Sequence, residues 1–169
     1  MKINKRCINM SIKMLVMDVD GTLTDGRLYI GAKGELMKSF DVKDGYAIAQ
    51  LKKNGIEPVI ITGRKSDIVL MRAKELKITE LYQGIEDKLS KLQEILLKRK
   101  ILPEEVAYIG DDLNDIQCMK YCGLSGCPGD SVEQIKELVD YVCNNYGGRG
   151  AVREFIDEKI LGVVKKQTC

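Results

Sequence analysis

The chain reads as an α/β protein, a Rossmann-like parallel sheet with helices on both faces. Three observations predict this. Short apolar runs, Met14–Val19 (MLVMDV), Pro58–Thr62 (PVIIT) and Val106–Gly110 (VAYIG), alternate from end to end with amphipathic segments of helical length, the pattern of right-handed βαβ units. Those runs are apolar throughout, as strands covered on both faces are. The 169 residues, 44% hydrophobic and 31% charged, suit one domain over 1–169 with a core of about 13–162; no repeat or linker interrupts them.

Each element has its own signal. Met14–Val19 is the first strand. Leu28–Ile30 and Leu36–Phe40 flank Gly31 to Gly34 and read as a hairpin, a flap after that strand. Gly45–Asn54 places Ile48 and Leu51 at helical spacing, with Gly55 as a C-terminal stop. Pro58–Thr62 is a strand, Ser66 caps a helix to about Leu76, and Leu81–Tyr82 is a brief strand before Gly84. Asp87–Lys100 sets Leu89, Leu92, Ile95 and Leu96 on one helical face, and Pro103 ends the connection. Val106–Gly110 is a strand, Asn114–Cys122 a helix stopped by Gly123, and Leu124–Gly126 another short strand. Ser131–Val139 (helix), Tyr141–Cys143 (strand) and Ala151–Leu161 (helix) complete the pattern.

Composition excludes whole classes of chemistry. There is no His, so Ser-His-Asp, Cys-His, HExxH and phosphohistidine mechanisms are impossible. Proton transfer near neutral pH falls to carboxylates, Lys, Tyr, Cys or water. A net charge of +2 and 5% aromatics argue against nucleic acid as a partner. No apolar run approaches the ~20 residues of a membrane span. Lys2, Lys5 and Arg6 begin the chain, but Lys13 and Asp18 break the apolar stretch that a signal peptide needs. Six cysteines, at 7, 118, 122, 127, 143 and 169, form no CxxC and read as reduced thiols; Cys118 and Cys122 share a helix face. The expected location is the cytoplasm.

In open parallel sheets, ligands bind beyond the carboxyl ends of the strands. Asp18 and Asp20 follow the first strand, Thr62, Gly63 and Arg64 the second, and Asp111, Asp112 and Asp115 follow Val106–Gly110; Lys88 opens a helix after Leu81–Tyr82. Carboxylates, a hydroxyl and an ammonium therefore converge on one edge. Packed carboxylates repel, and a hard divalent cation such as Mg²⁺ relieves them while accepting phosphate oxygens. One carboxylate can then act as nucleophile and another as acid and base, with Thr62 and Lys88 on the phosphoryl group. Each residue alone has a plainer reading as a turn, cap or solvated charge; their order at successive strand ends does not.

Asp18-Val19-Asp20-Gly21-Thr22, Ile61-Thr62-Gly63-Arg64, Lys88 and Gly110-Asp111-Asp112-Leu113-Asn114-Asp115 resemble the four motifs of the haloacid dehalogenase superfamily of phosphohydrolases. The resemblance implies a Rossmann-like fold and Mg²⁺-dependent phosphoryl transfer. It makes Asp18 the nucleophile and Asp20 the general acid/base, with Thr62 and Lys88 on phosphoryl oxygens. Asp18, the backbone carbonyl of Asp20 and Asp111 would hold Mg²⁺, with Asp112 and Asp115 nearby. Only 41 residues separate Asp20 from Thr62, and 25 separate Thr62 from Lys88, so neither gap holds a cap domain. A capless site stays open, and either a large substrate or neighbouring subunits must close it.

Over residues 13–162 the chain is similar to the capless 3-deoxy-D-manno-octulosonate 8-phosphate phosphatase family, through Asp25–Phe40, Asp41–Tyr46, Ile60–Lys65, Leu81–Leu89, Val106–Asp115 and Gly147–Glu154. That similarity implies a homotetramer whose hairpins close each other's sites, and a reaction in lipopolysaccharide biosynthesis. It also implies that Gly63, Arg64, Arg72 and the loop Asp41–Gly45, including Lys43 and Asp44, contact a sugar acid phosphate; an Arg offers a carboxylate a planar two-pronged clamp. Ala49 departs from the Arg that members often carry. Arg64 favours the octulosonate over nonulosonate 9-phosphates, whose phosphatases carry Glu there. Arg149 reads equally as substrate-facing or as an interface residue. A reading of another class is a phosphoacceptor receiver or regulatory module. Receivers, however, place their acidic pair before the phosphorylated Asp and lack DxDGT.

Overall fold

A computed structural model describes residues 11–162. The N-terminal Lys2, Lys5, Arg6 and Cys7 and the tail Val163–Cys169 lie outside the described residues. The sheet comprises β1 (Met14–Met17), β4 (Glu57–Thr62), β5 (Glu80–Gln83), β6 (Val106–Ile109), β7 (Leu124–Cys127) and β8 (Tyr141–Val142). Its order is β5-β4-β1-β6-β7-β8, and all pairs are parallel. The chain builds outward from β1 to β5, then crosses back to β6 on the other side. The order therefore reverses between β1 and β6, where parallel sheets open a crevice.

Strand side chains alternate between two cores. Leu15, Met17, Ile60 and Ile109 meet Ile48 and Leu51 of α1 (Val42–Leu51), Val69 and Ala73 of α2 (Asp67–Glu75), and Val152 and Phe155 of α6 (Ala151–Phe155). Met14, Val16, Ile61 and Tyr108 meet Leu92, Ile95 and Leu96 of α3 (Lys88–Arg99), Cys118 and Met119 of α4 (Ile116–Tyr121), and Ile135 of the one-turn α5 (Glu133–Lys136). Burying both faces with period two is what uniformly apolar strands require.

The hairpin is β2 (Tyr29–Gly31) with β3 (Gly34–Met37), a separate two-stranded sheet closed at its base by a Thr24–Phe40 bridge. Among the described residues, the hairpin, α1 and a 3₁₀ turn (Lys52–Asn54) are all the regular structure between β1 and β4. The fold is capless.

Several boundaries differ from expectation. The helix expected from Gly45 begins at Val42, because the Asp41 side chain accepts from Lys43 N at 2.6 Å and caps it. Residues 42–45 are thus a first helical turn, not a loop. The helix expected from Asn114 opens as a 3₁₀ turn, Leu113–Asp115. The Asp115 carboxylate is turned back to accept from Asp111 N at 3.1 Å. The Ser131–Val139 helix shrinks to α5, since the Ser131 hydroxyl donates to Pro128 O at 2.7 Å and Val132 has no side chain that can cap. The last helix widens into a π turn over Ile156–Ile160, its end marked by Leu161 N donating to Ile156 O at 2.8 Å. Among the described residues, no helix is long and apolar enough to cross a membrane.

Candidate active site

Asp18 follows β1 and Asp111 follows β6 by two residues, on either side of the crevice. Asp18 N donates to Ile109 O at 3.0 Å, extending the parallel ladder so that both carboxylates leave at one level. Lys88 is the first residue of α3, whose N-cap Asp87 accepts from Ser90 N at 3.0 Å. A cation at a helix N-terminus opposes the helix dipole. It is held there by two carboxylates: Lys88 Nζ donates to Asp18 Oδ1 at 2.7 Å and to Asp115 Oδ1 at 2.8 Å. All three side chains are buried. Burial opposes the Lys88 charge, but the two carboxylates outweigh it and hold its pKa above the ordinary value.

Asp115 is saturated with donors: Lys88, the Tyr108 hydroxyl at 2.7 Å, and the amides of Asp111 and Asp112. Asp111 accepts from the Thr22 hydroxyl at 3.0 Å. Burial, then the charge of Asp18, push the Asp111 carboxyl up to about 8. Burial and Asp115 push Asp18 up to about 6 against the pull of Lys88. One oxygen from each of Asp18, Asp111 and Asp115 lies within 4.8 Å of the others. This oxygen-only, over-acidic cluster suits Mg²⁺, which binds through one or two carboxylates and keeps its waters. Asp115 is already committed, so Asp18 and Asp111 offer the free oxygens.

The loop bearing Asp20 is tightly bounded. Gly21 has φ +91°, and a Cβ there would lie 2.0 Å from Asp111 Oδ2. From the far end of the chain, Gly147 packs so closely that its Cβ would lie 1.9 Å from Gly21 O, while Gly148 N donates to Thr22 O at 3.1 Å. The charged partners of Asp20 come from outside the Asp18–Lys88–Asp115 group. Its Oδ1 accepts from Lys38 of the hairpin, and its Oδ2 lies 3.8 Å from Arg64 Nε. Thr62 ends β4, buried, and Gly63 and Arg64 follow it exposed at the mouth. Asp112 is exposed and caps the Leu113–Asp115 turn, accepting from Leu113 N at 2.7 Å.

The structure gathers Asp18, Asp20, Lys88, Asp111 and Asp115 but sets part of the expected substrate group apart. Asp44 is buried, with Oδ1 accepting from Arg153 N at 2.7 Å; burial, opposed by that amide, pushes its carboxyl up to about 6. Arg72 stacks on Phe40 and donates to Asp41 O at 3.3 Å and to Glu75 Oε2 at 2.8 Å. Gly45 is small because Arg72 passes it, 2.4 Å from where a Cβ would be. Of that stretch, Lys43 is exposed. Sequence reasoning missed Lys38, Glu35 and Tyr108, and gave Thr22 no role. The i,i+3 spacing of Glu35 and Lys38 was the available signal; Tyr108 gave none, being one more apolar-strand residue.

Fold and site together define a haloacid dehalogenase-like hydrolase, and that family's model matches residues 74–156. The 3-deoxy-D-manno-octulosonate 8-phosphate phosphatase KdsC of Escherichia coli (strain K12) is 46% identical over 151 residues, covering 89% of this chain and 80% of that protein. A crystal structure of the Yersinia pestis phosphatase of the same name superposes with a TM-score of 0.85 at 43% identity, covering 90% of this chain and 86% of that one. The Moraxella catarrhalis phosphatase, in complex with magnesium ion, phosphate ion and KDO, superposes with a TM-score of 0.85 at 41% identity, covering 88% and 86%. The chain belongs to the 3-deoxy-D-manno-octulosonate 8-phosphate phosphatase family of haloacid dehalogenase-like hydrolases.

Proposed function

We infer that this protein is a Mg²⁺-dependent phosphoric monoester hydrolase that removes phosphate from 3-deoxy-D-manno-octulosonate 8-phosphate. The observation that carries the reading is Lys88 set between Asp18 and Asp115, with Asp111 beside them, in a chain 46% identical to such a phosphatase. Mg²⁺, held by Asp18 and Asp111, would neutralise charge on the phosphate oxygens. An Asp18 oxygen attacks phosphorus and forms a P–O bond as the bond to the sugar oxygen breaks. Asp20 gives its proton to that departing oxygen. Water then attacks the phosphorylated Asp18 and loses a proton to Asp20, and phosphate leaves with Asp18 restored. Thr62 and Lys88 bind phosphoryl oxygens throughout. No step needs an imidazole.

Arg64, exposed beside Asp20, and Lys43 supply cations for the sugar carboxylate. Arg72 acts from beneath, holding the Asp41 carbonyl that leads into α1. Leu28, Ile30, Leu36 and Met37 stand exposed on the hairpin, an apolar face that supports the homotetramer with shared sites. Buried, unpaired Cys118, Cys127 and Cys143 suit a reducing cytoplasm. The product feeds lipopolysaccharide biosynthesis.

The test is a phosphate-release screen with and without a chelator. Octulosonate 8-phosphate is expected to outrun nonulosonate 9-phosphates and hexose phosphates in kcat/KM, with activity lost on chelation. Equal rates on hexose phosphates would refute the substrate assignment.

A further inference from the structure

Lys38 belongs to none of the four motifs, yet its side chain is only 1% exposed and ends at the site. Its ammonium donates to Asp20 Oδ1 and pairs with Glu35 Oε1 at 3.0 Å. Glu35 is fixed in turn, because its Oε2 accepts from the Ser66 hydroxyl. That hydroxyl also accepts from Val69 N at 3.3 Å, capping α2. A chain of contacts, Ser66 to Glu35 to Lys38 to Asp20, thus ties the hairpin to the segments following β4 and β1. A flap needing only an anchor would be served by the apolar base around Phe40. Burying an ammonium on a reactive carboxylate instead incurs a desolvation cost that must be offset by close pairing.

The pairing has a directional consequence. Lys38 has donors and no acceptor, so the Asp20 oxygen it faces cannot present a proton toward it. Oδ1 is engaged in a hydrogen bond, whereas Oδ2 lies 3.8 Å from Arg64 Nε, beyond hydrogen-bond reach, and is the oxygen left for proton exchange with substrate. We propose that Lys38 is a positioning residue for the reaction: by fixing Oδ1 it aims Asp20 Oδ2 at the sugar oxygen that leaves phosphorus. The proposal rests on the reading of Asp20 as general acid. In the step concerned, the Asp18–phosphorus bond forms, the bond from phosphorus to the sugar oxygen breaks, and the proton on Asp20 Oδ2 passes to that oxygen.

Leaving-group chemistry tests this. A sugar alkoxide needs the proton, whereas p-nitrophenolate leaves without it. Lys38→Met, Lys38→Arg and Asp20→Asn are compared with the parent in Mg²⁺, following the first turnover by rapid mixing. Octulosonate 8-phosphate and p-nitrophenyl phosphate are the substrates. Lys38→Met is expected to slow the first turnover of the sugar acid phosphate by about 10²-fold, with little change in KM and under about threefold loss on the aryl ester. Lys38→Arg, which keeps a donor, is expected to recover most of the rate. Equal losses on both esters would make Lys38 a structural anchor and overturn the proposal, as would an unchanged Lys38→Met enzyme. Asp20→Asn decides the underlying reading separately: if it turns over the sugar acid phosphate normally, Asp20 is not the acid, whatever Lys38 does.

Discussion

The Thr22 hydroxyl donates to Asp111 Oδ1 at 3.0 Å, joining the first motif to the last across 89 positions of sequence. Thr22 is fully buried, so water cannot replace it as the donor that holds Asp111 toward Asp18. Partners that orient a metal-ligating carboxylate contribute heavily to metal affinity. Thr22→Val keeps the shape and removes the donor. It is expected to raise the Mg²⁺ concentration for half-maximal activity by about 10–100-fold, read from a Mg²⁺ titration of phosphate release. An unchanged midpoint would mean that Asp111 is oriented by other groups.

Asp18→Asn tests the nucleophile directly. The amide keeps the size of the side chain but cannot form the acyl phosphate. Turnover should fall below detection while the melting temperature holds, because the variant removes a buried carboxylate with a raised pKa. Near-normal release would move the nucleophile elsewhere.

Lys88→Met removes the charge between two buried carboxylates 2.7 and 2.8 Å away. Breaking a buried pair from one side leaves uncompensated charge, at a cost of roughly 3–5 kcal/mol. Chemical denaturation should show a loss of that order in the metal-free protein. The rate should fall by at least about 10²-fold even at saturating Mg²⁺.

The acidic cluster gives metal-free protein a definite pH dependence. Folded Asp18 and Asp111 sit at about 6 and about 8, both above the ordinary 3.8. The native state therefore holds more protons than the unfolded chain between these values, and stability falls as pH rises through about 6 and then about 8. Chelated protein is expected to melt at a higher temperature near pH 6 than near pH 8.5. Mg²⁺, which replaces those protons, should raise the melting temperature more at the higher pH. Equal Mg²⁺ gains at both would sink the account.

The hairpin carries Ile30 and Leu36 at 64% and 66% exposure. Placing Glu at both positions puts charge on the proposed subunit contact. Light scattering after size exclusion is expected to read a tetramer for the parent and smaller species for the double variant. A parent monomer would end the shared-site reading.

Much of this was legible because it follows from local rules. The unbroken apolar runs of β1, β4 and β6 announce strands buried on two faces, and carboxylates just past the ends of β1 and β6 mark the crevice. Asp87 and Ser66 cap helices as their residue type suggests. What stayed hidden depends on long-range approach. Lys38 is an ordinary hairpin cation until the fold brings it to Asp20. Tyr108 is one more strand residue until its hydroxyl meets Asp115. Asp44 and Arg72 look alike as exposed polar residues in sequence, and only packing against α6 and Phe40 turns them inward.

The close seating of Gly147 and Gly148 on the Gly21–Thr22 turn bears on how the enzyme comes into being. The ribosome delivers Asp18 early and the glycines that steady its loop more than a hundred residues later. A growing chain carries Asp18 without the wall that holds its loop in register. The shape of the Asp18–Thr22 loop therefore waits on glycines made long after it, and clipping behind Tyr146 is expected to abolish phosphate release rather than reduce it.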